Sequence, residues 1–397
     1  MEKLIEKSLS KVTAINMTFK RYLFDELDWD NKLIGIKGAR GTGKTTLILQ
    51  HIKNQFGSDP TILYISLDDI YFSANRLVDL ADTFVQNGGT HLFIDEVHKY
   101  RNWSQEIKNI YDDHKDLSIV FTSSSALQID EGAYDLSRRA IIYGLHELSL
   151  REYISMANKS PFPVFPLEDI LRSHHEICSE LTQKIKPIGR FNDYIKYGAY
   201  PFILDGKTKF YERIEAVINQ VIENDLPSIT DIEYQTVIKI KKLLYVISGN
   251  VPFTPNISEL SRKTNTSRDL LLKYLDILDR AGLVKLLRSQ TKGISYLSKP
   301  DKIFLNNTTL MHALNERSVN PGSLRETFFM NQLSCKHRLT SARRADFTID
   351  DIYTFEIGGR NKSADQIKGV ENSYIAADNI EYGRLNKIPL WLFGFTY

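Results

Sequence analysis

Residues 38–45 constrain the fold of this chain more than any other feature, because they read G-A-R-G-T-G-K-T and match the pattern G-x-x-x-x-G-K-[ST]. An apolar run at residues 33–36 precedes them, and residues 45–52 follow with apolar side chains at helical spacing. The pattern requires this context of strand, glycine-rich turn and helix start. An accidental glycine-rich turn is the alternative, and the flanking elements argue against it. The sequence predicts a phosphate-binding loop between a buried strand and a helix.

Each group in this loop has a chemical role in holding a nucleotide. Glycines let successive N–H groups point inward at phosphate oxygens, and the helix N-terminus adds partial positive charge. Lys44 is expected to reach the β- and γ-phosphates, and the Thr45 hydroxyl to ligate Mg²⁺. Adenine is preferred, because the guanine-reading sequence Asn-Lys-x-Asp does not occur where it should. ATP and Mg²⁺ are therefore the expected cofactors, and the predicted binding residues of the loop are Gly38, Ala39, Arg40, Gly41, Thr42, Gly43, Lys44, Thr45 and Thr46.

A second apolar run, at residues 91–94, ends in the two acids Asp95 and Glu96. Buried strands of parallel sheets read as continuous apolar runs and carry functional side chains at their carboxyl ends. Asp95 is predicted to hold the Mg²⁺, directly or through a water. Glu96 is predicted to be the general base that polarises the attacking water. A strand that simply ends in solvated acids is the alternative, but the nearby loop favours an ATPase-type site.

The first part of the chain alternates strand and helix patterns, which predicts a parallel α/β sheet with helices on both faces. The predicted strands are residues 33–36, 61–66, 91–94, 118–122 and 140–143. Hydroxyl residues end the fourth strand at residues 122–125. Ser124 there is a candidate to bond the γ-phosphate or the attacking water, and a helix cap is the alternative reading of these serines.

Several of these segments together resemble prokaryotic AAA-type ATPases that carry a C-terminal domain of unknown function. The resemblance rests on D-E-V-H-K-Y at residues 95–100, on residues 122–125, on Arg139 before the fifth strand, and on E-L-S-L-R-E-Y at residues 147–153. Ser123 stands where the family usually has glycine. The resemblance implies that Arg139 acts as an arginine finger on a neighbouring subunit. A surface pair formed with Arg138 is the ordinary alternative.

The composition agrees with a soluble protein of more than one domain. The chain has 397 residues, of which 42% are hydrophobic and 25% charged, and its net charge of +2 predicts no strong nucleic-acid or membrane field over the whole chain. Cys178 and Cys335 lie far apart, so a disulfide framework is not expected. No apolar run approaches the ~20 residues of a membrane helix, and a signal-peptide pattern is absent, so we expect a cytoplasmic protein with no membrane partner.

The sequence after the nucleotide-binding part changes character twice before residue 300. Three prolines within residues 160–166 mark a break between domains. The residues that follow are rich in charged side chains and have helical patterns, which predicts a helical lid or adaptor. Helical patterns at residues 240–247, 257–261 and 270–278, followed by strand patterns at 282–287 and 293–297, predict a winged-helix module. Its third helix carries Arg268, Lys273 and Arg280 among acids, so DNA binding and a protein-interaction or structural role both stay open.

The last part of the chain contains acids in the order found in restriction-endonuclease-like folds. Glu326 lies on a predicted helix, Asp346 begins a predicted strand, Glu356 ends the next one, and Gln366 follows on a predicted helix. In such folds carboxylates hold Mg²⁺ and a lysine helps to activate water. Gly358 stands where that lysine should be, so the domain is predicted to be inactive or weak as a nuclease. Lys362, from a shifted position, is the alternative source of the amine.

The predicted organisation is an AAA-type P-loop ATPase domain (residues 1–156), a helical lid or adaptor (157–235), a winged-helix module (236–300) and an α+β nuclease-like domain (301–397). The expected function is Mg²⁺-dependent ATP hydrolysis that drives the C-terminal module. The catalytic residues are predicted to be Lys44, Glu96 and Arg139. Two alternatives stay open, an ATP-gated DNA nuclease and a nucleotide-switched interaction module with little turnover. Expected partners are ATP, DNA, and a protein partner or further copies of this chain.

Overall fold

The computed structural model describes residues 1–124, 136, 138–229, 233–249, 255–289, 299–315 and 319–397. These residues form two compact units. Met1–Glu147 and Glu223–Asp231 make up the first unit, whereas Leu148–Ile222 and Ile232–Tyr397 make up the second. A short segment of the first unit therefore lies, in sequence, between two stretches of the second. The division into four predicted domains stays a prediction.

A five-stranded parallel sheet in the order β2-β3-β4-β1-β5 forms the centre of the first unit. Its strands are β1 (Leu33–Lys37), β2 (Ile62–Ser66), β3 (His91–Asp95), β4 (Ser118–Ser123) and β5 (Ile141–Gly144). Consecutive residues of β1, β3 and β4 are buried although they point to opposite faces, so both faces of the sheet are covered. The predicted parallel α/β sheet is confirmed.

Helices of the first unit connect and cover these strands. They are α1 (Glu2–Ala14), α2 (Leu23–Glu26), α3 (Lys44–Gln55), α4 (Leu77–Gln86), α5 (Trp103–Asp113) and the short helix Leu226–Ile229. Leucines and isoleucines on the helices and strands share one buried apolar cluster with Phe121. Because all five strands run parallel, the loop after β1 and the acids at the end of β3 lie at the same edge of the sheet.

Helices and two sheets make up the second unit. Its helices are Leu150–Asn158, Leu167–Lys184, Pro187–Tyr197, Phe210–Gln220, Tyr234–Ser248, Ile257–Thr264, Arg268–Arg280, Thr308–Leu314 and Pro321–Leu333. The first of them begins with a capping box, in which Ser149 and Glu152 each bond to the other's backbone N–H. Within the described ranges, no helix combines the length and apolar character that crossing a bilayer demands.

The strands of the second unit form a two-stranded and a five-stranded sheet. They are β6 (Val284–Leu287), β7 (Lys302–Leu305), β8 (Leu339–Ser341), β9 (Phe347–Ile349), β10 (Tyr353–Gly358), β11 (Ser373–Ala377) and β12 (Lys387–Pro389). In the larger sheet β8, β9 and β10 run antiparallel, whereas β10, β11 and β12 run parallel. Phe329 packs against Phe355 and Phe393, with ring centroids 5.0 Å apart in each pair, and so joins the Pro321–Leu333 helix to this sheet.

Two details of the second unit bear on the predicted modules. The strand predicted at residues 293–297 lies outside the described residues, and β6 pairs with β7, which follows the predicted boundary at residue 300. Gln366, predicted on a helix, lies instead on the single 3-10 turn Asp365–Ile367. The chain leaves this turn at once, because Lys368 has a non-helical ψ of 124° and Gly369 has a positive φ of 78°.

Candidate functional site

The loop at residues 38–45 leads from the end of β1 into α3 as predicted, and its glycines are required by its geometry. Gly41 and Gly43 have φ values of 83° and 96°, a region that glycine adopts without strain. A Cβ at Gly38 would lie 2.3 Å from the Leu145 carbonyl oxygen. The sharp turn and the close approach of a neighbouring backbone therefore both exclude larger residues.

Lys44 is buried at the start of α3, and its ammonium is held inside the loop. Its Nζ donates to the carbonyl oxygens of Gly38 at 2.9 Å and Ala39 at 3.0 Å. Burial lowers the pKa of Lys44, whereas the charges of Glu96 and Asp95 act in the opposite direction. A charge in this position is available to phosphate oxygens that enter the loop.

Asp95 ends β3 and joins it to the loop through the Thr45 side chain. Its Oδ2 accepts hydrogen bonds from Thr45 Oγ1 at 2.7 Å and from the Tyr64 hydroxyl at 2.8 Å, and its Oδ1 accepts one from Thr122 Oγ1. Burial and the Asp95 charge raise the pKa of Tyr64 far above its usual range, so the phenol stays a donor. The two predicted metal ligands, Thr45 and Asp95, are thus in direct contact and present the oxygen atoms that Mg²⁺ prefers.

Glu96 adopts a left-handed backbone conformation, with φ 54° and ψ 44°. Such a conformation costs a non-glycine residue about 1 kcal/mol or more and often marks a functional position. The backbone N–H donates to Thr122 Oγ1 at 3.2 Å, and the carboxylate accepts from Ser124 Oγ at 3.2 Å. His98 Nε2 lies 3.2 Å from the same carboxylate oxygen. The predicted general base and the predicted hydroxyl are therefore neighbours.

Asp225 is a part of this site that no pattern in the sequence predicts. It belongs to the segment Glu223–Asp231, and its buried carboxylate lies 2.6 Å from Lys99 Nζ and 3.2 Å from Arg40 Nη1. Burial acts to raise its pKa, but hydrogen bonds from His98 and Lys99 and the charges of Lys99 and Arg40 outweigh burial and hold the pKa well below the usual range. No motif or spacing signals this residue, because it meets the site only through the fold.

The remaining predicted residues have different surroundings. Thr42 is buried and donates to the Ala39 carbonyl at 2.9 Å, whereas Thr46 is exposed on the first turn of α3. Arg139 forms a two-pronged ion pair with Asp112, with Nε–Oδ1 and Nη2–Oδ2 distances of 2.8 and 2.9 Å. Ser125, which belongs to the predicted hydroxyl segment, lies outside the described residues.

A second group of acids, Glu326, Asp346 and Glu356, lies in the C-terminal part of the second unit. A lysine that no sequence pattern predicts, Lys302, lies beside two of them. Lys302 Nζ lies 2.9 Å from Glu326 Oε2 and 3.1 Å from Asp346 Oδ1. Its ammonium therefore stands between the two carboxylates. Within the part of the chain that the structure describes, no set of three or more His, Cys, Asp and Glu side chains is arranged to hold a metal.

The expectation that Gly358 leaves no amine beside Glu356 is wrong. Lys362 Nζ forms an ion pair with Glu356 Oε1. The stem of Lys362 lies across Gly358, where a Cβ would come within 2.6 Å of it. The missing side chain thus makes room for a lysine from further along the chain. Glu356 Oε2 is buried without a hydrogen-bond partner.

Comparisons with known proteins agree with this geometry. A family model described as an AAA domain matches residues 30–154, and one described as a domain of unknown function (DUF8612) matches residues 188–320. An uncharacterized protein of Methanocaldococcus jannaschii is 26% identical over 373 residues, which cover 85% of this chain and 77% of that protein.

Two solved structures are among those that match this chain with low TM-scores. A Walker-type ATPase of Pyrococcus abyssi matches with a TM-score of 0.39 and 10% identity, over 78% of this chain and 95% of that one. AMPPCP-bound DnaA from Aquifex aeolicus matches with a TM-score of 0.29 and 14% identity, over 64% and 84%.

The parallel sheet, the glycine loop and the family model together define the class. Residues 30–154 match the AAA-domain model and have an ATPase-like P-loop NTPase fold, and the match to the domain of unknown function follows them in the chain. The resemblance to AAA-type P-loop ATPases with a C-terminal domain of unknown function is confirmed.

Proposed function

We propose that this chain binds ATP with Mg²⁺ and hydrolyses it, and that its nucleotide state drives a C-terminal winged-helix and nuclease-like module. The observation that carries the proposal is the 2.7 Å hydrogen bond from Thr45 Oγ1 to Asp95 Oδ2, with Glu96 next in the chain. This hydrogen bond connects the glycine loop to the acid pair Asp95 and Glu96. The sequence pattern predicts that these two segments lie close together. Mg²⁺ held by Thr45 and Asp95 would supply positive charge to the phosphates.

Each side chain then has a task in the proposed hydrolysis. Lys44 offsets phosphate charge from inside the loop, and Glu96 takes a proton from the attacking water. Ser124 and His98 orient the Glu96 carboxylate, which they contact at 3.2 Å. Arg139 stays a prediction, since its action on a neighbouring copy would require its guanidinium to leave Asp112.

Two substitutions test this proposal on the full-length protein. Lys44→Ala should lose the thermal stabilisation that Mg²⁺-ATP gives by binding the folded state. Glu96→Gln should keep that stabilisation but release phosphate at least about 100-fold more slowly, the scale of one general base. The control is Lys115→Ala, which removes an exposed lysine of the same unit. An unchanged thermal shift in Lys44→Ala contradicts the phosphate-site assignment, and wild-type turnover in Glu96→Gln contradicts the role of Glu96.

For residues 236–300 we propose a winged-helix module that acts mainly through protein or structural contacts. The helices Tyr234–Ser248, Ile257–Thr264 and Arg268–Arg280, followed by β6, support this proposal. On the third helix, Arg280 already pairs with Asp276 at 3.0 Å. DNA binding by the same module predicts measurable affinity for duplex DNA that falls steeply with salt, whereas an interaction role predicts no measurable binding of duplex DNA at physiological salt.

A second candidate function, an ATP-gated nuclease, is favoured by one observation, the ion pair of Lys362 with Glu356. The position of Lys302 between Glu326 and Asp346 argues against it, because an ammonium there competes with a divalent cation. Incubation with Mg²⁺ or Mn²⁺ and single- or double-stranded DNA, with and without ATP, tests this candidate. Cleavage that is lost in both Glu356→Ala and Lys362→Ala establishes it. Cleavage that survives both changes indicates a contaminant.

A further inference from the structure

The segment Glu223–Asp231 packs in the first unit, although the stretches of chain on both sides of it belong to the second. The π-helical turn Val221–Asp225 leads into this segment and ends at Asp225, whose carboxylate is buried. Two cationic side chains, Arg40 and Lys99, bond this carboxylate, and His98 Nε2 lies 3.8 Å from it. A buried carboxylate with this many donors is a strongly bound anion.

The donors of Asp225 belong to the two parts of the proposed ATPase site. Arg40 lies within the loop at residues 38–45, and Lys99 ends the 3-10 turn that directly follows Glu96. His98 links the two groups of contacts, since its Nε2 lies 3.2 Å from Glu96 and 3.8 Å from Asp225. The general base in such a site faces the phosphate that is attacked, so Asp225 lies at the terminal-phosphate end of the site.

We propose that Arg40 and Lys99 form the binding site for the terminal phosphate of a nucleoside triphosphate, and that Asp225 occupies this site in the nucleotide-free protein. This inference rests on the proposed function and names a regulator of the same site. A phosphate oxygen and a carboxylate oxygen accept the same hydrogen bonds from guanidinium and ammonium groups. Two anions that need the same donors repel each other, so one replaces the other.

The number of phosphates in the nucleotide then decides whether Asp225 remains bound to Arg40 and Lys99. A triphosphate brings a third phosphate to Arg40 and Lys99 and expels the carboxylate. A diphosphate ends before these donors and leaves Asp225 in place. Because the segment continues into the stretch that begins at Ile232, its release is passed along the chain to the second unit. The proposed coupling therefore needs only the covalent connection.

Titration calorimetry on the full-length protein compares Mg²⁺-AMPPNP with Mg²⁺-ADP in three variants. Asp225→Asn keeps the shape but removes the competing charge, so the affinity for AMPPNP should rise about tenfold, because more of the protein is competent to bind. The affinity for ADP should stay within about twofold. Lys99→Met should weaken AMPPNP about tenfold and leave ADP within about twofold, since a charge-assisted contact is lost. The matched control is Asp82→Asn, which changes an exposed acid that pairs with His114 in the same unit.

Hydrogen exchange of the wild-type protein gives a readout that needs no variant. Backbone amides of Val221–Asp225 and Leu226–Ile229 should exchange faster with AMPPNP than with ADP, because the segment is released. Equal or slower exchange with AMPPNP overturns the inference. Parallel changes of both nucleotide affinities in the variants overturn it as well, while the ATP-binding proposal stands. A wild-type protein that binds neither nucleotide overturns both.

Discussion

Lys302→Met removes a charge that two partly buried acids share, and its effect on stability follows from the contacts of that charge. Lys302 Nζ bonds Glu326 and Asp346 at 2.9 and 3.1 Å, and these carboxylates keep only 16% and 17% of their side-chain surface exposed. Methionine retains most of the apolar stem and loses the ammonium, which lies 6.0 Å from the centroid of the Phe347 ring, so the change removes charge more than packing. It leaves two like charges close together without a counter-ion.

The expected loss in the free energy of unfolding is about 3 kcal/mol at pH 7. Removing one partner of a buried pair costs about 3–5 kcal/mol, and the residual exposure of the carboxylates places this case at the lower end. Lys184→Met is the matched control, because Lys184 pairs with Glu180 on an exposed helix face of the same unit at 2.7 Å. An exposed pair of that spacing contributes about 0.5 kcal/mol or less.

The pH dependence gives this prediction a sign. Burial, together with the Asp346 charge, raises the pKa of Glu326, and Lys302 opposes this rise. Without Lys302 the folded protein binds a proton at Glu326 more tightly than the unfolded chain does. The penalty of Lys302→Met should therefore shrink as the pH falls from 7 towards 5, by at most about 1.4 kcal/mol per pH unit.

Hydrogen exchange of the β9 and β10 amides measures this loss within the second unit alone. The reasoning is refuted if Lys302→Met costs no more than Lys184→Met, or if its penalty grows towards acid pH. Addition of Glu326→Gln to the variant should restore part of the lost stability, because it removes one of the two unpaired charges. A double variant less stable than Lys302→Met alone would also refute it.

Two further predictions concern the first unit. Gly38→Ala should lower the free energy of unfolding by about 2 kcal/mol and abolish the thermal shift with Mg²⁺-ATP, because its Cβ meets the Leu145 carbonyl oxygen at 2.3 Å; normal nucleotide binding in this variant would contradict the geometry of the loop. Burial, followed by the charges of His91 and Lys20, lowers the pKa of His51 to about 4, so its contribution to stability is present above pH 6.5 and is lost as the pH falls towards 4. His51→Phe should flatten this part of the pH–stability curve in urea titrations, and a curve as steep as that of the wild type would exclude His51 as the cause.

The sequence predicted the parallel sheet of the first unit and the meeting of Thr45 with Asp95 because both depend on short-range patterns. A glycine loop between a strand and a helix fixes where Lys44 begins α3, and an apolar run fixes where β3 ends. In a parallel sheet these ends share one edge, so their approach follows from the strand pattern alone. The partners Tyr64 and Thr122 also lie on strands, but only the strand order puts them beside Asp95.

The contacts that the sequence did not predict depend on packing between distant segments. The sequence around Asp225 has an ordinary helical pattern, and no neighbouring residue distinguishes Asp225 from the exposed acids near it in the chain. No sequence motif predicts a role for Lys302, because a single lysine at the start of a strand has no characteristic distance in sequence from Glu326. Lys362 was considered only as a remote substitute, because the room that Gly358 leaves for its stem is a property of the folded backbone.

Because the first unit includes Glu223–Asp231, it cannot be completed during protein synthesis until this segment has been made. The ribosome makes the five strands of its sheet first and then the whole stretch Leu148–Ile222, which belongs to the other unit. At about 5–20 residues per second this delay lasts several seconds. Until Asp225 emerges from the ribosome, all five strands of the sheet are already present, but Arg40 and Lys99 lack the carboxylate that they bind in the folded protein. A nascent chain of this length is thus open at the terminal-phosphate end, and nucleotide can reach the loop before the segment that later competes with it exists.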